Sequence, residues 1–250
     1  MRTRLALAPL AAALLLAPVS PASVAPAVTA PPAARFPASP ASSPLPLPAL
    51  GYHHLGASSA DDWSGVLGRV TVRDPDVRRG TNDFVAARFL AKRDTSAGNA
   101  WIEAGWAETG WSGDGRQRVY TYDTNTRRWQ FYDQYPIGDG DRIWLSLTAS
   151  DDRSWQAWLW WHDAWRLLTT QALPLTTHAQ IEQYLEVYVD PDHPGDYPVP
   201  TVTVDNVQLR AGDGLHAWRA TVPTLTSVPT DRFCVDWQTS YDTWAAGTCP

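Results

Sequence analysis

From residue 51 onward, apolar and polar residues alternate over short runs punctuated by Gly, Pro, Asn and Asp. Period-two alternation of this kind marks strands with one buried face. The pattern predicts strands over Val66–Val72, Phe84–Ala91, Trp101–Trp106, Val119–Asp123, Trp129–Tyr135, Ile143–Thr148, Trp155–Trp161, Trp165–Thr169, Ile181–Val189 and Val202–Leu209. Turn residues separate them at Arg73-Asp74-Pro75, Thr95–Asn99, Thr109–Gly115, Thr124-Asn125-Thr126, Gly138-Asp139-Gly140 and His162-Asp163-Ala164. No window carries a helical period with caps, and no repeat of about 20–50 residues is present. About ten short strands at this spacing predict an all-β fold, an antiparallel two-sheet β-sandwich or jelly roll.

The first fifty residues follow a different pattern. Arg2 and Arg4 precede an apolar run, Leu5–Leu16, and small residues follow at Ser20-Pro21-Ala22 and Ala25-Pro26-Ala27. That order is a secretory signal, expected over 1–27. The run falls short of the roughly 20 residues a spanning helix needs. Residues 28–50, rich in Pro, Ala and Ser, cannot build a packed core and read as a disordered linker. One domain is expected over 51–250, in an exported, extracellular protein without a membrane span.

Composition narrows the partners. The net charge is −6, and Lys92 is the only lysine. No basic stripe exists to follow a phosphate backbone, so nucleic acid is excluded as a partner. Polymers outside the cell remain, polypeptide or polysaccharide, met by a monomer. Cys234 and Cys249, an even count in an exported chain, predict a disulfide, with a pair of free thiols as the alternative. The histidines share no metal-ligand spacing, and Asp190–Asp196 reads as an acidic turn without a regular calcium-loop pattern, so neither metal nor cofactor is expected.

The 14 tryptophans fall in the folded region, and five crowd the hairpin from Trp155 to Trp165. Side chains alternate across a strand, so Trp158 and Trp160 share one face while Trp155 and Trp161 share the other. One set fills a core and the other is available to line a cleft. Glutamate is depleted in strands, yet Glu103, Glu182 and Glu186 sit inside them. Glu103 faces the same way as Trp101 and Gly105, and Gly105 leaves room beside it. Glu182, Tyr184 and Glu186 share a face. The opposite face is interrupted by Gln183, so periodicity does not settle which side is inward. These glutamates either line a site or lie on a solvated face, paired with Arg88 or Arg118.

Several segments resemble the glutamic peptidases. Ile102-Glu103-Ala104-Gly105-Trp106, the loop Gly113-Asp114-Gly115 and the strand Arg118-Val119-Tyr120-Thr121-Tyr122 are similar to neprosin-type enzymes. Phe131-Tyr132-Asp133-Gln134-Tyr135-Pro136, then Gly140-Asp141-Arg142-Ile143, then Glu182 and Glu186 after Ala179-Gln180, resemble the eqolisins. The likeness spans Asp62–Val189, in the family's order. The chain as a whole also resembles a secreted bacterial family. Gln183 and Asp133 depart from the family's Trp and Glu, and Val202–Cys249 has no counterpart.

The resemblance implies a concanavalin-like sandwich with Glu103 and Glu182 as the catalytic pair. Two close carboxylates share a proton. Glu182 would then activate water, and Glu103 would protonate the amide, giving an acid-acting endopeptidase without metal or covalent intermediate. Asp133, Tyr132 and Glu186 would support the pair, and Trp101, Trp106, Trp158, Trp160 and Tyr184 would bind substrate. Two other readings stand beside it. A Trp-lined cleft suits a carbohydrate-binding module or a two-carboxylate glycosidase. Since a fold does not carry its function with it, a catalytically inactive envelope protein is the third.

Overall fold

The computed structural model describes residues 47–96, 98–150, 154–227, 230 and 232–250. The expected signal segment, 1–27, and most of the expected linker, 28–50, lie outside the described residues. Two antiparallel sheets form the domain, with no helix among the described residues. The first sheet uses β1 (Gly51–Trp63), β3 (Phe84–Thr95), β4 (Gly98–Thr109), β5 (Arg118–Asp123), β6 (Gln130–Pro136), β10 (Ala179–Val189) and β13 (Thr224–Thr226). Its order is β13-β1-β10-β3-β4-β5-β6. The second uses β2 (Gly65–Thr71), β7 (Arg142–Ala149), β8 (Trp155–Trp161), β9 (Ala164–Gln171), β11 (Val202–Ala211), β14 (Phe233–Thr239) and β15 (Thr243–Thr248), with β12 (Gly214–Ala217) paired to β11. Its order is β14-β15-β11-β2-β7-β8-β9. The all-β, two-sheet sandwich expected from the alternation is the observed fold.

One hydrophobic core fills the interlayer. Val85, Ala87, Phe89 and Ala91 enter it from β3, Ile102, Ala104 and Trp106 from β4, and Leu145, Leu147, Trp155, Ala157 and Leu159 from β7 and β8. Gly68 on β2 admits Phe89: a Cβ there would stand 2.5 Å from the ring. Such close interdigitation is what makes a core sensitive to single methylenes. His162 and Asp163 both take positive φ, 46° and 61°, as a tight turn matched to strand twist requires, and close the β8–β9 hairpin.

The face of β10 left open by its sequence is settled by its partners. Ile181, Leu185 and Val187 point into the core. Gln183 points there too, fully buried, donating to the Tyr241 carbonyl at 2.9 Å and accepting from Trp244 Nε1 at 2.7 Å. Its amide is satisfied by the C-terminal segment, which the alternation alone left unplaced. That segment contributes β13 to the first sheet and β14–β15 to the second. Cys234 and Cys249 form a disulfide across its end. The opposite side of β10, bearing Glu182, Tyr184 and Glu186, is therefore the outer face of the first sheet.

Candidate functional site

The registers of β1, β10, β3, β4 and β5 lay out that outer face in rows. Tyr52 pairs with Tyr188, which pairs with Phe84. Two residues along, His54 pairs with Glu186 and Glu186 with Ala86. In the next row Tyr184, Arg88, Gly105 and Tyr120 stand side by side. In the row after that, Glu182, Leu90, Glu103 and Tyr122 do so. Glu103 and Glu186 are thus diagonal to one another, with Arg88 between them. Glu103 and Glu182 share a row, with the apolar Leu90 between.

Arg88 decides which carboxylates meet. It is 5% exposed, and its Nε–H donates to Glu186 Oε2 at 2.8 Å, while Glu103 Oε2 lies 2.9 Å from the same nitrogen. The two oxygens, both touching one atom, are within about 6 Å of each other, close enough for each carboxyl to shift the other's protonation. Gly105 makes this possible: a Cβ there would collide with the Ala87 carbonyl and stand 2.8 Å from Arg88 Cβ. On its far side Glu186 Oε1 meets His54 Nε2 at 3.1 Å. Glu182 is drawn away instead, accepting from Lys92 Nζ at 3.1 Å.

Two buried carboxylates and one guanidinium cannot all be charged without excess negative charge in a poorly solvated place. Burial pushes Glu103 well above the usual carboxylate range; Arg88 opposes this and Glu186 adds to it. Burial acts on Glu186 in the same sense, but Arg88 and the hydrogen bond with His54 outweigh it and hold this carboxyl well below that range. Burial disfavours the charge on Arg88, yet Glu186 and Glu103 keep it protonated. The environments split two similar side chains into an acid, Glu103, and a carboxylate, Glu186, which is how acid and base roles are divided. Tyr120, fully buried beside them, is raised well above its usual value by burial, then by Glu103.

These groups lie along one cleft of about 690 Å³. Glu103, Glu186, Arg88, His54, Lys92 and Trp101 line its charged part. Tyr52, Phe84, Trp111, Trp129 and Tyr188 line the remainder. Among the described residues no cluster of His, Cys, Asp and Glu is arranged to hold a metal.

The sequence-derived candidates divide accordingly. Trp101, Glu103 and Glu186 line the cleft. Glu182 and Tyr184 share its sheet face; Tyr184 presents its ring to Arg88 at 5.8 Å. The expected placement of several others is corrected. Trp106 is fully buried in the interlayer, its Nε1 donating to the Thr71 carbonyl at 3.1 Å, because strand alternation turns it away from Glu103. Trp158 and Trp160 face outward from the second sheet, on the far side of the sandwich, while Trp155 is the member of that hairpin that fills the core. Tyr132 also points inward, bonded to Thr121 Oγ1 at 2.9 Å and to the Leu168 carbonyl at 3.0 Å. Asp133 is exposed on the edge strand β6. Arg118 does not pair with the glutamates; it lies over the Phe131 ring at 3.5 Å and donates to Ser112 Oγ at 2.7 Å. The alternation did not single out His54, Phe84, Trp111, Trp129 or Tyr188 as site residues: His54 lies on β1, Trp111 and Trp129 outside the strands, and Phe84 and Tyr188 near the ends of β3 and β10.

Solved structures share this architecture. Scytalido-glutamic peptidase with a transition state analog inhibitor is similar over 78% of this chain and 98% of that chain, with a TM-score of 0.53 and 13% identity. SCP-B, a member of the eqolisin family of peptidases in a complex with the tripeptide Ala-Ile-His, is similar over 80% and 98%, with a TM-score of 0.50 and 13% identity. No family model matches the chain, and no curated protein does. At this identity the likeness is one of fold: the domain is a glutamic peptidase-like β-sandwich.

Proposed function

We propose that the protein is an exported two-carboxylate hydrolase that cleaves polypeptide chains, with Glu103 as general acid and Glu186 as general base. The observation that carries this reading is the convergence of Glu103 and Glu186 on Arg88 Nε in a peptidase-like sandwich. Ionised Glu186 takes a proton from water as the oxygen attacks the amide carbon. Protonated Glu103 gives its proton to the carbonyl oxygen. As the C–N bond breaks, Glu186 passes the proton it took from water to the leaving nitrogen, and a hydroxyl proton of the tetrahedral intermediate returns to Glu103. Arg88 limits the negative charge that develops between them. In this arrangement Glu182 is ion-paired with the cleft-lining Lys92 and holds it in place, and Glu186 takes the role of base.

The one-proton state that this chemistry needs extends further than an acid optimum alone. It persists upward because Glu103 is raised and downward because Glu186 is lowered. Activity is therefore expected from acid to near-neutral pH. The test is incubation of the full chain with unfolded casein in heavy-oxygen water between pH 3 and 8. New peptide termini carrying the heavy label, absent with Glu103→Gln, support the reading. Intact casein at every pH sinks it, and sugars released from cellulose, chitin or xylan would instead assign the carboxylates to glycoside hydrolysis.

A further inference from the structure

The charged groups occupy only part of the cleft. At its other end Phe84 forms the base, 5% exposed, and Trp111 and Tyr52 form the rim, 42% and 63% exposed. Exposed aromatics grouped at one end of a concavity are unusual on a surface with no ligand to meet. The cleft-lining residues at this end carry no charge.

The rings form a corner and not a platform. Phe84 meets Trp111 at 5.8 Å and 86°, and Trp129 at 5.3 Å and 67°. Trp111 meets Trp129 at 5.9 Å and 74°. Tyr188 stacks beside Phe84 at 5.7 Å and 12°, and Tyr52 tilts over Tyr188 at 4.5 Å and 54°. A sugar chain needs flat ring faces presented in line. Ring planes that turn steeply between neighbours instead surround a single compact apolar group from several sides. The corner is also braced from behind, since Trp129 stacks on Tyr120 at 4.4 Å and on Phe131 at 5.9 Å. A preformed wall of this kind costs little ordering when it is filled.

Its place along the strands sets its relation to the chemistry. The row of Tyr52, Tyr188 and Phe84 lies two residues from the row of His54 and Glu186. Two residues of strand span about 7 Å, and an extended peptide repeats its side chains on one side at the same interval. For a peptide laid along the strands, a side chain in the corner lies within one or two residues of an amide above Glu186.

We propose that the aromatic corner is a specificity subsite for one bulky apolar side chain, aromatic or branched aliphatic, of a bound extended polypeptide. This rests on the reading of the cleft as polypeptide-binding. Binding and cleavage separate the two claims. The full chain carrying Glu186→Gln, titrated calorimetrically with extended peptides that differ only in one Phe replaced by Ala, should bind the Phe peptide at least roughly tenfold more tightly, given the area an aromatic ring buries. Adding Trp111→Ala, a change at a rim position, should bring the two peptides to within about twofold, since the corner then loses a wall. Equal binding of the Phe and Ala peptides overturns the subsite. So does a preference that survives Trp111→Ala, or displacement of the Phe peptide by cello- or chito-oligosaccharide. Wild-type protein that binds the Phe peptide selectively but cleaves nothing leaves the subsite standing and removes the hydrolase reading alone.

Discussion

Glu103 on β4 and Glu186 on β10 are separated by a whole strand, yet their carboxylate oxygens lie 2.9 and 2.8 Å from the same Arg88 nitrogen. The intervening strand, β3, supplies the cation that lets both be buried. Arg88→Met should leave ionised Glu186, beside protonated Glu103, without its buried counter-charge and cost about 3 kcal/mol at pH 7, the usual size for breaking a buried ion pair. The loss should shrink toward pH 4, where Glu186, no longer held ionised by Arg88, takes up a proton. Urea unfolding at both pH values measures it, and a variant equal to wild type at pH 7 contradicts the cluster's role.

A second carboxylate gives a pH effect away from the cleft. Glu108 accepts from the Val77 amide at 2.7 Å and from Gln117 Nε2 at 2.5 Å, and burial, opposed by these bonds, pushes its carboxyl up to about 7. The native protein therefore holds this proton when the unfolded chain, near 4.3, has released it. The stability it confers is complete below that unfolded value and is lost as pH rises toward 7. Glu108→Gln, which keeps both bonds if the Gln117 amide turns over, should flatten the fall in stability between pH 4.5 and 7. An unchanged slope in the unfolding free energy against pH contradicts this.

The tryptophans separate by layer. Trp106→Ala should cost about 3–5 kcal/mol, the range for emptying a core aromatic. Trp160→Ala, on the outer face of the second sheet at 40% exposure, should change stability by less than about 1 kcal/mol and leave cleavage untouched. Thermal unfolding and casein digestion of the two variants check both statements.

Much of this was legible in the chain. Ten of the strands fall within a few residues of their predicted ends because their alternation is clean. β1, which lies between the edge strand β13 and β10 in the first sheet, escaped because Gly51–Trp63 reads as Gly, His, Ser and Asp, with apolar positions too sparse to mark a face. The strand-borne glutamates flagged the site, and the resemblance implied Glu182 as the base with Glu186 in support, but register does not separate the two, since both share a face. Their roles divide through partners brought from β3: Arg88 for Glu186 and Lys92 for Glu182. Nothing local to β10 encodes that. The inward Gln183 misled for the same reason, its partners lying near the C-terminus.

The Cys234–Cys249 bond holds β14 against β15, the strands that carry Trp244 to Gln183. Reduction, or Cys234→Ser with Cys249→Ser, should lower stability by about 3 kcal/mol, as expected for a closed loop of this length. The melting temperature with and without reductant measures it; an unchanged value contradicts a structural role.

The most direct measurement compares Glu186→Gln with Glu182→Gln in casein cleavage at the wild-type pH optimum. Loss of about a thousandfold or more in kcat/KM for Glu186→Gln, with Glu182→Gln within about tenfold of wild type, is the predicted result for a base against a wall residue. The reverse order, or equal activity in both variants, would contradict the Glu103–Glu186 pair as the centre of the chemistry.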